Sequence, residues 1–341
     1  MNVHSRAVPL RIALVLAVTI AGVIGVGSPI GAADKTGEVA EFDLDVGYGV
    51  TGVVEWHDSL IAISYDGAVL RSSDGREWEQ VQTLGLEVEI QDYDREDVSF
   101  DGLTTAGDTL IAIGNHRVVS KKGFQELTPL VWVSEDAESW QLTQTSGLDP
   151  DGYLWTAAAH DDALVFGTGA VTKKRNGIVV WASSDGVQWR RIESTHLNSP
   201  QKYSFHRTDN VAVGPDGLLA VQIVGDRGSR DDETFGIWRS TDGLEWEELD
   251  YSGLDSLDRP NSDEAPLVAA VNGGYVGVGV VDGRITLFQS SDGASWSDEQ
   301  TLDDAPVEEV SAVVVFHGDL IVLGIRGYDE LVVARIATSS L

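Results

Sequence analysis

Short apolar runs come in pairs along this chain, and a small polar turn separates the two runs of each pair. Val53–Trp56 precedes Leu60–Ile63, and Ala312–Phe316 precedes Leu320–Leu323. Six such turns follow one another at intervals of 50, 54, 54, 57 and 45 residues, at Asp58, Asp108, Asp162, Asp216, Gly273 and Gly318. Each interval has the length of four short antiparallel strands. The pattern therefore predicts stacked β-units, and no helical periodicity of useful length appears after the N-terminal segment.

A second repeat lies between the third and fourth predicted strands of five units. It reads Ser-x-Asp-Gly-x-x-Trp, with Ala137 in place of Gly in the second copy. Its Asp and Trp residues are Asp74 and Trp78, Asp136 and Trp140, Asp185 and Trp189, Asp242 and Trp246, and Asp292 and Trp296.

These five turns are expected to be structural, because a reaction needs one site and the motif occurs five times. The Ser hydroxyl and the Asp carboxylate are expected to hydrogen-bond the backbone of their own turn, while Gly supplies a left-handed conformation. Each Trp is expected to lie between neighbouring units. Ala137 makes the second turn the weakest, since a residue with a Cβ resists positive φ.

The repeat resembles the Asp-box, or BNR, repeat of sialidase-like β-propellers and of the non-catalytic propellers related to photosystem assembly factors. The usual Asp-box has one more residue between Asp and Gly. The chain is thus expected to be all-β: a six-bladed β-propeller of four-stranded antiparallel blades, at about 50–84, 98–145, 154–195, 208–250, 266–301 and 308–341. The last unit lacks the turn motif, so the alternating strand 38–46 is expected to complete it and close the ring.

The N-terminal segment has the three parts of a secretory signal peptide. Arg6 and Arg11 precede an uncharged apolar run at 12–27, and small residues follow before Asp34. We expect a signal peptide at 1–33 and a single secreted or extracytoplasmic propeller domain at 34–341. The alternative is a retained N-terminal anchor, although the run falls short of the roughly 20 residues that span a bilayer. No later segment is expected to span a membrane.

Composition removes several classes of function. The 341 residues include 55 Asp plus Glu and 23 Lys plus Arg, a net charge of −32, so nucleic acid and anionic membranes are unexpected partners. The absence of Cys excludes disulfides and thiolate metal sites. His57, His160 and His317 recur at the turn between the first two strands and are interpreted as surface residues. No metal or cofactor is expected, except that the acidic run 92–97 could hold Ca²⁺; the alternative is a solvated acidic loop.

Units 2, 3 and 4 carry long insertions between their second and third strands, at about 114–129, 167–177 and 225–236. The first two insertions hold six basic residues opposed only by Glu126, namely Arg117, Lys121, Lys122, Lys173, Lys174 and Arg175. Loops on a rigid scaffold concentrate binding residues. We interpret these six as a basic patch that binds an unknown protein or an acidic glycan, the alternative being solvated loops.

These features favour an exported, monomeric, non-catalytic binding or scaffold module that presents the loops of blades 2–4. The alternative is a secreted sialidase-like glycoside hydrolase, and a third possibility is an envelope assembly factor. Sialidase chemistry would need three Arg, a Tyr activated by Glu and an Asp acid. No Arg of this chain lies in the Arg-Ile-Pro motif of that family. No catalytic residue is nominated.

Overall fold

The computed structural model describes residues 38–42, 49–85, 93–120, 125–148, 152–160, 164–171, 175–192, 205–214, 216–225, 234–254, 256–257, 265–271, 273–327 and 330–341. Over these residues the fold is all-β, apart from one 3-10 turn at Thr338–Ser340. None of them forms a helix with the length and apolar character needed to cross a bilayer. The short alternating strands predicted from the sequence therefore give the correct fold class.

Five of the described sheets are built from four consecutive strands each. Sheet 1 contains β2 (Val50–Trp56), β3 (Ser59–Ser64), β4 (Ala68–Ser72) and β5 (Glu79–Thr83). Sheet 2 contains β6 (Tyr93–Ala106), β7 (Thr109–Ser120), β8 (Gln125–Ser134) and β9 (Gln141–Leu142). Sheet 3 contains β10 (Gly152–His160), β11 (Leu164–Val171), β12 (Arg175–Ser183) and β13 (Trp189–Ile192).

The remaining sheets follow the same plan, with one difference. Sheet 4 contains β14 (Phe205–Gly214), β15 (Gly217–Gly225), β16 (Thr234–Ser240) and β17 (Glu247–Leu249). Sheet 5 contains β18 (Leu267–Val271), β19 (Gly274–Val281), β20 (Arg284–Ser290) and β21 (Trp296–Pro306). A sixth sheet combines β22 (Glu309–Phe316), β23 (Asp319–Arg326) and β24 (Glu330–Ala337) with β1 (Glu38–Phe42), which pairs antiparallel with β24. The predicted β-propeller of small antiparallel sheets is confirmed.

Buried side chains of neighbouring sheets pack together around the molecule. The first strands of successive sheets contact one another in chain order, and β22 contacts β2. Trp189 packs with Ile111 of sheet 2, and Trp246 packs with Val180 of sheet 3. Trp78 packs with Ile321 of the sixth sheet. The repeated indoles therefore lie between sheets, as expected, and only Trp140 is more than marginally exposed.

The five repeated turns share one hydrogen-bond pattern. In the third, the Ser183 hydroxyl donates to Asp185 Oδ1 over 3.0 Å, and the same oxygen accepts the backbone N–H groups of Val187 and Gln188 over 2.8 Å each. The Gly of four turns has φ between 70° and 76°, and Ala137 has φ 60°. In each of the five turns the Asp carboxylate therefore accepts hydrogen bonds from the backbone of its own turn.

The prediction that units 2 and 3 carry long loops between their second and third strands is wrong. In sheet 2, β7 and β8 stay paired as far as Val119 and Gln125, and β11 and β12 of sheet 3 are paired as far as Val171 and Arg175. The inserted residues therefore lengthen the strands of these sheets. Cross-strand pairing satisfies the backbone polar groups that a loop would leave to solvent. In sheet 4, β15 ends at Gly225 and β16 begins at Thr234.

Candidate functional site

The first strands of all the sheets surround a central channel with a volume of about 370 Å³. Small residues such as Gly102, Ala157 and Ala212 line much of it. Thr51, Asn210 and Ser311 lie towards the end where these strands begin, and Glu55 lies towards the other end. Glu55 is the one charged residue of the described lining, and Thr104, Thr105 and Thr156 add hydroxyl groups to it.

Five of these first strands contain a bulge at the equivalent position of their sheets, which removes one residue from the pairing register. The bulged residues are Thr51, Asp101, Trp155, Asp209 and Ser311.

Asp101 differs chemically from its counterparts in sheets 1 and 6. Thr51 donates from Oγ1 to the carbonyl of Ile63 over 3.3 Å, and Ser311 donates to the carbonyl of Leu323 over 3.2 Å. Each hydroxyl thus binds a carbonyl of the neighbouring strand at the bulge. An ionised carboxylate has no proton to donate in this way. Asp101 therefore departs from the pattern of the bulges in sheets 1 and 6.

Two donors hold one oxygen of the Asp101 carboxyl. Ser99 donates from Oγ to Oδ2 over 2.7 Å, and Asn115 donates from Nδ2 to the same Oδ2 over 2.9 Å. Asn115 is itself fixed to sheet 3, because its Nδ2 donates to the Leu154 carbonyl over 2.6 Å and its Oδ1 accepts the Leu154 N–H over 2.9 Å. The pKa of Asp101 is raised to about 6 because burial outweighs these two hydrogen bonds.

Tyr65, in the turn between β3 and β4, brings a phenol to this carboxyl. Its backbone N–H donates to Gly49 and its carbonyl accepts the N–H of Phe100, both over 2.9 Å, which ties the turn to sheet 2. Its side chain hydrogen-bonds with Ser99. Burial, followed by the negative charges of Asp101 and Asp97, raises the pKa of Tyr65, so the phenol is neutral at physiological pH.

Arg117 and Asp97 form a bidentate ion pair beside these residues. Arg117 Nε and Nη2 donate to Asp97 Oδ1 and Oδ2 over 2.8 and 2.5 Å. The hydrogen bond to Asp97 is the main reason that the pKa of Arg117 is raised. We call Tyr65, Asp97, Ser99, Asp101, Asn115 and Arg117 the Asp101 site.

Two partly exposed aromatic side chains on β10 lie next to this site in sheet 3. The ring centroids of Tyr153 and Trp155 are 5.0 Å apart, with planes inclined at 56°. Tyr153 acts electrostatically on Arg117, which places it near the ion pair. Aromatic faces beside neutral hydrogen-bonding groups are suited to a ligand that has both apolar and polar surfaces.

At the other end of the channel, Glu55, Asp58 and His317 lie close together. Their potential ligand atoms are all within 4.8 Å of one another, and all three residues are exposed. Carboxylate and imidazole donors can hold a divalent cation. His57 and His317 occupy exposed turn positions as expected, whereas the side chain of His160 lies outside the described residues.

The basic residues predicted from sequence are only partly described. Arg117 lies within β7, where Asp97 neutralises it, so the expectation that Glu126 alone opposes this patch is wrong. Arg175 begins β12, but its side chain lies outside the described residues, as do Lys121, Lys122, Lys173 and Lys174. Residues 93–97 of the acidic run belong to β6, which pairs with β7, so the alternative of a solvated acidic loop is wrong for these residues.

Sequence reasoning did not identify Tyr65, Asp101 or Asn115. One signal was available: Asp101 interrupts the apolar alternation of its strand directly before Gly102, which is typical of a bulge.

Comparison with solved structures shows similarity to propeller enzymes. The chain superposes on an α-L-arabinanase of Penicillium chrysogenum bound to arabinobiose with a TM-score of 0.57 and 14% identity, covering 95% of this chain and 100% of that one. A GH93 α-L-arabinofuranosidase of Fusarium graminearum gives a TM-score of 0.58 and 13% identity, covering 95% and 99%.

A Hadza microbial sialidase gives a TM-score of 0.57 and 16% identity, covering 88% of this chain and 67% of that one. No protein-family model matches the chain, and no curated protein matches its sequence. At these identities the comparisons establish a sialidase-like propeller fold and nothing about the reaction.

Proposed function

We propose that this chain is an exported β-propeller that binds a saccharide at the Asp101 site as a non-catalytic recognition module. The observation that carries the proposal is Asp101, a partly exposed residue whose carboxyl has Oδ2 bound by two donors and, among the described residues, no donor on Oδ1. The neighbouring phenol of Tyr65 and the aromatic pair on β10 provide the mixture of hydrogen bonds and ring faces that sugars require.

The charge of the site favours a neutral sugar. Asp97 already occupies two N–H groups of Arg117, so this guanidinium is not a free receptor for a ligand carboxylate. The apolar segment at 12–27 supports export. The basic residues Lys121, Lys122, Lys173, Lys174 and Arg175 remain a second proposed contact, for an acidic glycan or a partner protein.

A glycoside hydrolase is the second candidate, and the raised pKa of Asp101 favours it. A carboxyl that titrates at about 6 can protonate a leaving group near neutral pH. The solved structures similar to this chain include an arabinanase, an arabinofuranosidase and a sialidase, which makes the glycosidic bond the natural target to test.

A binding assay combined with product analysis separates the two candidates. Calorimetric titration with a panel of oligosaccharides, arabinobiose and sialyllactose included, is expected to detect binding that Asn115→Ala weakens. Chromatography of the same mixtures after prolonged incubation is expected to show intact sugar. Released monosaccharide that disappears in Asp101→Asn would establish the hydrolase instead, and the absence of binding across the panel would refute a saccharide function.

We further propose that the five repeated turns are shortened Asp-box turns and that β1 closes the propeller. The shared hydrogen-bond pattern of the turns supports the first statement. The pairing of β1 with β24, the contact of β22 with β2, and the packing of Trp78 on Ile321 support the second.

A further inference from the structure

The two oxygens of the Asp101 carboxyl have different surroundings. Oδ2 accepts hydrogen bonds from Ser99 and Asn115, whereas among the described residues no donor reaches Oδ1. Donors stabilise the oxygen that carries negative charge, so a proton on this carboxyl is better placed on Oδ1. Protonated Asp101 therefore presents an O–H group on its open side.

Neighbouring contacts hold this orientation. Asn115 cannot turn away without losing both of its bonds to the Leu154 backbone. Ser99 donates its proton to Asp101 Oδ2, and the side chain of Tyr65 also hydrogen-bonds with Ser99. The carboxyl is thus oriented by sheets 1, 2 and 3 together, before any ligand arrives.

The pKa of Asp101 is determined by burial and by these hydrogen bonds, and not by nearby charges. Asp97 and Arg117, on the same sheet, neutralise each other in their ion pair. Tyr65 faces the site from sheet 1 and Tyr153 lies near Arg117 on sheet 3, and both are phenols. His116 lies between Asn115 and Arg117 on β7, so strand alternation turns its side chain to the opposite face.

We infer that Asp101 contacts the bound saccharide as a neutral acid, donating its Oδ1 proton to a sugar oxygen that carries no proton, such as a ring or glycosidic oxygen. This inference rests on the proposed function. It gives the ligand a chemical requirement, an acceptor oxygen opposite Oδ1. It also makes binding depend on pH, because ionised Asp101 would present a carboxylate to that same oxygen and repel it.

Calorimetric titration across pH tests the inference with the best-binding member of the oligosaccharide panel. Wild-type affinity is expected to fall roughly 30-fold between pH 5 and pH 7.5, the loss of neutral form for a pKa near 6. Asp101→Asn is expected to bind at every pH with the affinity that the wild type has at pH 5. The Asn carbonyl can accept from Ser99 and Asn115 in place of Oδ2, and its amide then donates in place of Oδ1.

Two further variants make the test specific. Ser99→Ala removes a donor that stabilises the ionised carboxyl, so the pKa of Asp101 should rise and the midpoint of the binding profile should move to higher pH. Asp216→Asn alters an exposed carboxylate at a turn of sheet 4 and should follow the wild-type profile. Carboxyl carbon NMR of the ligand-free protein reports the Asp101 titration directly.

The outcomes separate the inference from the proposed function. Wild-type binding that is flat across pH, or an Asp101→Asn variant that no longer binds although it is folded, would overturn the inference and leave saccharide binding intact. If no member of the panel binds at any pH, both statements fail. An NMR midpoint for Asp101 near its ordinary value would also contradict the inference.

Discussion

The pKa values of aspartates in this molecule are shifted in opposite directions, according to the groups that surround each carboxyl. In the repeated turns, backbone N–H groups lower the pKa of Asp136, Asp185, Asp242 and Asp292. Their stabilising contribution is present above the ordinary Asp pKa of 3.8 and is lost as pH falls below it. Asp101 behaves conversely, because its raised pKa makes the fold favour the protonated form.

The pH dependence of stability should therefore reveal Asp101. Since its folded pKa exceeds its unfolded value, the contribution of Asp101 is complete below about pH 4 and is lost as pH rises through about 6. Relative to Asp101→Asn, the wild type should lose about 1–3 kcal/mol of unfolding free energy between pH 4 and pH 7. Urea denaturation at several pH values measures this difference. A constant difference across that range would contradict the raised pKa.

A methyl group at a repeated-turn glycine should be costly. Gly186 has φ 70°, and a Cβ there would lie 2.9 Å from Ile111 Cδ1 in the neighbouring sheet. Gly186→Ala should lower the free energy of unfolding by about 1–2 kcal/mol. Chemical denaturation checks the value, with Ser184→Ala, an exposed change in the same turn, as the control. Equal stability of the two variants would show that this turn tolerates a side chain as the Ala137 turn does.

At the scale of strands and turns, the sequence predicted the number and order of the strands in each unit well, but it predicted the lengths of the strands poorly. The polar turns and the Asp-Gly pairs have strong local causes, since positive φ at Gly67 and Gly283 is encoded by the residue itself. The extension of β7 and β8 depends on which partner each residue faces, which is not a local property. The Asp101 site could not be predicted for the same reason. Tyr65, Asp101 and Asn115 come from three separated segments that meet only after sheets 1 and 2 pack.

The first strand should contribute to stability through its side chains. Ala40 packs against the core shared by sheets 1 and 6 and pairs with Val333 of β24. Ala40→Asp should lower the free energy of unfolding by about 1–3 kcal/mol, because it puts a charge against this apolar core. Thermal unfolding measures the effect, and Ser339→Asp adds the same charge at an exposed position nearby. Matching melting temperatures would show that β1 is dispensable.

At the scale of the whole molecule, an arginine of one sheet reaches the repeated turn of the next. Arg71 Nη2 donates to the Asp136 carbonyl over 3.2 Å, and Arg335 Nη1 donates to the Asp74 carbonyl over 2.9 Å. Arg335 also pairs with Asp319 of its own sheet. The junction between the last sheet and the first thus has the same contact as the junction between sheets 1 and 2.

Removing this contact tests the closure. Arg335→Ala should cost about 1–3 kcal/mol of unfolding free energy, because it breaks the charge-assisted hydrogen bond to the Asp74 carbonyl of sheet 1 and the ion pair with Asp319 of its own sheet. Arg239→Ala removes an exposed pair with Glu247 within one sheet and should cost less than about 1 kcal/mol. Urea denaturation compares the two. A smaller loss for Arg335→Ala than for Arg239→Ala would argue against a closed ring.

The pairing of Glu38 with Arg335 has a consequence for biosynthesis. A nascent chain displays β1 well before its partner strand β24, because Arg335 is translated 297 residues after Glu38. Until then β1 must remain unpaired or find another edge, and closing so long a loop is slow. A pause in translation before β24 is made would expose this protein to strand exchange with a neighbouring copy.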